Sequence, residues 1–196
     1  MELIWMEYSC VRCLFCSRRK EAQVVRLIHA RGWGHALFAQ RIKTVLVDGV
    51  WTETVAPLMP GYVFVYSNDE TDRYEELHSL PNVIRMLTYG DGSNVLKGRD
   101  LEFADWLWRL KGHIEVMKAA QVGDRVEIID GVFKQLHGTI IRMDRRRKTV
   151  CVLLETEGTP KHLWLAYEIV ERRTEDGGPE GWHPQEEAPT SGQHNQ

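Results

Sequence analysis

The sequence predicts an α+β fold in two parts, a mixed α and β module over residues 11–112 and a small β-barrel over residues 121–173. Three observations carry this. Apolar spacing alternates between helical and strand periods through the first 112 residues, whereas from Gln121 onward every apolar run is short and strand-like. The chain has 196 residues, 43% of them hydrophobic, which suffices for one or two small cores.

Taken in order, Val11 to Cys16 is a short β-compatible run. Ser17 to Arg31 then places Val24, Leu27 and Ile28 on one helical face, and Gly32 and Gly34 end that helix. Ala36 to Ala39 follows. A hairpin is expected next, with arms Thr44 to Val47 and Val50 to Val55 meeting at Asp48-Gly49, a strong turn pair. Tyr62-Val63-Phe64-Val65-Tyr66 is a strand with aromatics on one face and valines on the other. Ser67 to Glu70 fits a capping box for a helix over about residues 69–79, stopped by Pro81. Val83 to Leu87 reads as a strand, and Asp100 is placed to cap a helix reaching Lys111. Residues 113–120 lack a period and read as a linker. Strands are then expected at Arg125 to Ile129, Gly138 to Met143, Thr149 to Leu154, Leu163 to Leu165 and Ile169-Val170, a spacing that suits a barrel.

The formal charge of −3 is a sum over unlike regions. Residues 174–196 hold five carboxylates and no Lys or Arg, in a Gly, Pro, Gln, Ser and Thr background that cannot offset ordering entropy, so a disordered acidic tail is expected there. Without it the balance is −3 + 5 = +2, with 15 basic and 15 acidic residues over 1–120 and 10 against 8 over 121–173. The longest aliphatic run, Val150 to Leu154, is far short of the roughly 20 residues that span a bilayer, and no export signal is visible. Four cysteines, three of them within seven positions, make a poor disulfide framework, so a cytoplasmic protein without membrane association is expected.

Cys10, Cys13 and Cys16 form a C-x2-C-x2-C run that invites a metal or redox reading. The fourth ligand of a cluster motif is missing, and on a strand Cys13 and Cys16 point to opposite faces and cannot share an ion. Packing as small hydrophobes is the favoured reading, with no metal and no cofactor. Ser17-Arg18-Arg19-Lys20 matches S-x-x-K without either companion motif of that enzyme class, and no H-E-x-x-H or G-x-S-x-G occurs. No catalytic residues are assigned, and the chain is not expected to be an enzyme.

Basic residues are more informative. Arg142, Arg145, Arg146, Arg147 and Lys148 fall where two barrel strands must turn; a charged hairpin tip serves solubility, but guanidinium clusters also pair with phosphates and stack on bases. Lys134, His137, Lys161 and His162 come from other loops and would join them. A second group, Arg18, Arg19, Lys20 and Arg26, begins at a helix N-terminus, where cations oppose the dipole, and is a candidate nucleic-acid contact of the first module. An apolar face left by Tyr62, Phe64 and Tyr66 would mark a protein-binding patch.

Leu58-Met59-Pro60-Gly61-Tyr62-Val63-Phe64-Val65, with Gly123-Asp124-Arg125-Val126-Glu127-Ile128-Ile129-Asp130-Gly131-Val132-Phe133 and Leu136-His137-Gly138, resembles the NusG family of transcription elongation factors. The resemblance covers about residues 11–173. It implies an NGN-type α/β sandwich with an antiparallel sheet, a linker and a C-terminal KOW β-barrel, with residues 1–10 as an N-terminal extension. It further implies that Phe15, Met59, Tyr62 and Phe64 dock on the clamp of RNA polymerase, while the KOW domain meets nascent RNA, a leader hairpin, the ribosome or Rho. A monomer is expected. Met59, Leu136 and the basic run Arg145 to Lys148 depart from general family members, and point to a specialised paralogue similar to the antiterminators LoaP and RfaH. A general factor coupling to Rho or the ribosome is the alternative within the family, and a Cys-based metal or redox protein the alternative outside it.

Overall fold

The computed structural model describes residues 8–68, 73–123, 125–129 and 138–173. At its centre is a four-stranded antiparallel sheet. Strand β1 (Cys10–Cys16) begins one residue before the apolar run that announced it, inside the expected N-terminal extension, because Cys10 still pairs with Ser67. Helix α1 (Glu21–Ala30) follows, then β2 (His35–Leu37), and a hairpin of β3 (Gln40–Val47) and β4 (Val50–Pro57). The Asp48-Gly49 turn forms as expected, with φ of 50° and 81° and Val47 opposite Val50. Strand β5 (Tyr62–Ser67) pairs with β1 on one side and β2 on the other. Strand β6 (Val83–Met86) completes the order β2-β5-β1-β6.

Period-two alternation divides this sheet into two faces. Leu14, Cys16, Val63 and Val65 form one, covered by Val24 and Ile28 of α1 and by Leu77 of the short helix α2 (Tyr74–His78). Val11, Cys13, Phe64 and Tyr66 form the other, against Phe103, Ala104 and Leu107 of α3 (Gly98–Arg109). The Tyr66 hydroxyl donates to the Ala104 carbonyl at 2.8 Å, which fixes α3 on the sheet without leaving a buried polar atom unpaired.

One carboxylate organises the end of the sheet. Glu21 is 2% exposed, and its Oε1 accepts the Gly61 N–H at 2.7 Å, while the Gly61 carbonyl accepts the Cys16 N–H at 2.7 Å. Gly61 holds φ at 92°, and a Cβ there would lie 2.8 Å from Phe15 Cε2. The turn before β5 is therefore clamped between α1 and β1.

Several expectations are corrected. The helix near residues 69–79 is only Tyr74–His78, and Ser67 belongs to β5 rather than to a cap; residues 69–72 lie outside the described residues. Asp100 sits in the first turn of α3, where it accepts the Tyr89 hydroxyl at 2.8 Å, and Lys97 holds the N-cap position. Residues 113–120 are not a structureless linker. They supply β7 (His113–Ile114), parallel to β3 in a three-stranded sheet β4-β3-β7, and most of β8 (Met117–Val122). Their small buried residues, Ala119 and Ala120, obscure the strand period in sequence.

The C-terminal half contains β8, β9 (Arg125–Ile128), β10 (Gly138–Asp144), β11 (Thr149–Leu154) and β12 (Lys161–Arg173) in the order β10-β11-β12-β8-β9. The two short runs expected after Gly158 are one 13-residue strand, which pairs with β11 at its start and, in parallel, with β8 at its end. Strands β9 and β10 end the sheet, so it is open among the described residues rather than closed into a ring. Lys134, His137, residues 1–7 and the acidic stretch 174–196 lie outside the described residues. The inner residues Val150, Val152, Leu154, Leu163 and Leu165 join the same apolar cluster as Phe64, Phe103 and Leu107. The two halves share one core.

Candidate functional site

The strand that carries Tyr62 and Phe64 positions both on the α3 side of the sheet by alternation, and the pairing Phe15↔Tyr62 brings Phe15 alongside, with ring centroids 5.2 Å apart. Phe64 is 4% exposed and stacks at a tilt on Phe103 at 5.8 Å. Phe15, Met59 and Tyr62 are half-buried. The four expected docking residues are thus brought together, but the apolar face is not open. Leu154, Thr156, Gly158, Thr159 and Lys161 of the C-terminal half roof it, leaving a cavity of about 160 Å³ above Met59, Tyr62 and Phe64.

Polar contacts hold that roof. Glu157 Oε1 accepts the Arg99 N–H at 3.0 Å at the start of α3, whose N-cap residue provides no side-chain bond of its own, so the carboxylate meets the positive end of the helix. The Glu157 N–H donates to Asp100 Oδ1 at 3.4 Å, and Glu155 lies 3.9 Å from the Arg99 guanidinium. Lys161 Nζ stands over the Tyr62 ring at 5.9 Å, and the Arg85 guanidinium over Phe15 at 5.8 Å. Glu155, Glu157, Arg85 and Arg99 were not singled out from sequence. The acidic pair Glu155-x-Glu157 before a Gly-Thr-Pro turn carries no local signal of a partner 58 residues upstream.

The basic groups separate. Arg145, Arg146, Arg147 and Lys148 form the four-residue turn between β10 and β11, all exposed, with Arg142 exposed two residues before Asp144. Asp144 Oδ1 accepts the Arg147 N–H at 2.9 Å and shapes the turn. Lys161 is not part of this cluster: it pairs with Leu154 at the far end of β11, whereas the turn end pairs Thr149 with Ala166, about 17 Å away along the strand. Arg18, Arg19 and Lys20 are exposed in the β1–α1 turn, and Arg26 is exposed on α1. Arg19 holds φ at 67°, a left-handed conformation that costs a non-glycine residue about 1 kcal/mol.

All four cysteines are buried, and none forms a disulfide. Cys13 and Cys16 belong to opposite faces of the sheet, as the strand reading requires. Burial pushes the Cys13 thiol far up, and it pushes Cys16 up to about 11, helped by the neighbouring Glu21 charge. Among the described residues no group of three or more His, Cys, Asp or Glu converges on a metal-sized site. No helix among them is long and apolar enough to cross a membrane.

Residues 12–105 match the family model described as transcription termination factor nusG. The transcription termination/antitermination protein NusG of Synechocystis sp. is 22% identical over 174 residues, spanning 81% of this chain and 84% of that protein. Among solved structures, one of domain interaction in Thermotoga maritima NusG is similar with 23% identity over 80% of this chain and 93% of that one, at a TM-score of 0.45. One of an MjSpt4:Spt5 complex is similar with 18% identity over 79% and 91%, at a TM-score of 0.29.

Proposed function

We propose, from the match of residues 12–105 to the nusG family model, that the chain is a NusG-type transcription factor that binds RNA polymerase and promotes processive elongation through terminators of specific operons. The observation that carries this reading is the apolar group of Phe15, Met59, Tyr62 and Phe64 inside the matched segment, gathered beneath a roof from the C-terminal half. This group docks on the polymerase clamp. Docking requires the C-terminal half to leave, so the apparent affinity equals the intrinsic affinity reduced by the fraction of molecules that are open. Clamp binding then favours the polymerase conformation for which the factor has higher affinity, a population shift limited by that difference.

The freed C-terminal half contacts nascent RNA through Arg142 and the turn Arg145 to Lys148, and tethering to polymerase raises the effective concentration of that contact. Arg18, Arg19, Lys20 and Arg26 face nucleic acid near the transcription bubble; the strained backbone of an exposed Arg19 supports a role for its side chain. The basic turn is the feature that favours a specialised antiterminator over a general factor. No cofactor takes part.

Single-round transcription through a terminator, with and without the upstream leader of the regulated operon, tests the proposal. Wild-type protein raises read-through only on the leader template. Tyr62→Ala with Phe15→Ala returns it to the level without factor and weakens polymerase retention at least about tenfold, the scale of losing central aromatic anchors. Read-through unchanged by the double variant overturns the docking face, and leader-independent read-through overturns operon specificity in favour of a general factor.

A further inference from the structure

The outer face of the C-terminal sheet carries an aromatic residue that packs into neither apolar cluster of the described residues. Along β12, Leu163, Leu165 and Tyr167 point into the core, so Trp164 between them points away from it. Trp164 is half-buried and belongs to neither apolar cluster, whereas every other residue of that strand with a large apolar side chain, from Leu163 to Ile169, packs against the core. The pairings Cys151↔Trp164 and Arg142↔Cys151 place Arg142, Cys151 and Trp164 in one row across three strands. Cys151, 3% exposed, is the floor of that row, and the exposed Arg142 and the indole are its two walls. The next outward row, Asp144, Thr149 and Ala166, lies about 7 Å along the strands and leads directly into the turn Arg145 to Lys148. On the other side of Trp164, the outward row holds the exposed His162 opposite Leu153.

We propose that this face is a binding site for single-stranded RNA, in which Trp164 stacks on an unpaired base, Arg142 flanks the base, and Arg145, Arg146 and Arg147 hold the adjoining phosphates. This deepens the RNA contact proposed above and rests on it. The charge of the turn selects a polyanion. A flat indole set in a sheet, with Arg142 and the basic turn to one side of it among the described residues, suits a splayed base in a strand better than a base-paired helix, whose bases are already stacked. Trp164 therefore sets the preference for unpaired RNA, and the arginines set the salt dependence.

The test is equilibrium binding of the full chain to a fluorescent 12-nucleotide oligo(U), a 12-base-pair RNA duplex and a 12-nucleotide oligo(dT), each across a salt series. Wild type prefers oligo(U). Trp164→Ala weakens oligo(U) binding about 5- to 100-fold with an unchanged salt slope and leaves duplex binding alone, while Trp164→Phe keeps most of the affinity. Reversing Arg145, Arg146 and Arg147 to Glu lowers the slope itself. Oligo(U) affinity that falls with the arginine variant but ignores Trp164→Ala overturns this inference alone and returns the face to a protein partner. Wild type that binds no RNA overturns both this site and the RNA contact on which it rests, and tighter binding to oligo(dT) than to oligo(U) assigns the face to DNA and overturns RNA as its occupant. Trp164→Phe with wild-type melting but the same loss as Trp164→Ala also refutes stacking.

Discussion

At the residue scale, burial decides what the conspicuous side chains do. Three cysteines in seven positions look reactive on paper, yet all three are buried, and burial raises the Cys13 and Cys16 thiols. Cys16 ionises in the folded protein at about 11 against 9.0 for a free thiol, chiefly through burial. Because the folded-state value is the higher one, this thiol's contribution to stability is complete below about pH 9 and is lost as the pH rises toward 11. Two outcomes are expected. Native protein shows no thiol reacting rapidly with a disulfide reagent at pH 8, and four react in guanidinium; the urea midpoint stays level to pH 9 and declines above it. A native thiol that reacts within mixing time would revive a redox role for the run.

Among elements, the turn before β5 is the joint that sets the proposed docking face. Gly61 supplies a backbone conformation closed to other residues, and Glu21 satisfies its N–H from inside the protein. Glu21→Ala leaves that donor unpaired and is expected to cost about 1–3 kcal/mol. Gly61→Ala adds a methyl group that meets Phe15 and the Cys16 carbonyl, at positive φ, and is expected to cost at least about 2 kcal/mol. Urea denaturation measures both, and a loss below about 0.5 kcal/mol for either contradicts the clamp. The hairpin at Asp48-Gly49 and the alternation of Tyr62 to Tyr66 were legible in sequence because turn chemistry and period two are local properties. Helix α2 was legible in part: Tyr74–His78 forms within the span expected from Pro81 and the capping pattern, but its five residues are too few for a helical period to fix its bounds, with Leu77 buried and Tyr74 packed against the core. Strand β8 was hidden for a related reason, since Met117, Ala119 and Ala120 are buried without alternating strictly.

For the whole molecule, the consequence of the shared core is that the C-terminal half and a large partner cannot occupy the aromatic face together. The contacts of Glu155 and Glu157 with Arg99 and the start of α3 lie at the rim, half in solvent, where ion pairs are worth about 1 kcal/mol or less and a helix-end charge adds a similar amount. Reversing both to Lys is expected to raise polymerase affinity about 5- to 10-fold by increasing the open fraction, measured by equilibrium binding of labelled protein to core polymerase. Unchanged affinity would mean that the roof does not gate docking. What the sequence determined by itself was local: the mixture of helices and strands, the strand faces, the basic turn, and the separation of Cys13 from Cys16. These follow from periodicity and from residue chemistry at adjacent positions. Only the tertiary structure decided that Met59, Tyr62 and Phe64 are roofed, that Lys161 belongs to that roof rather than to the basic turn, and that Trp164 stands on the outer face beside Arg142. Each of these depends on which sheet face meets which neighbour across 50 residues or more of chain, or on cross-strand register, and neither leaves a mark in the spacing of residues along the chain.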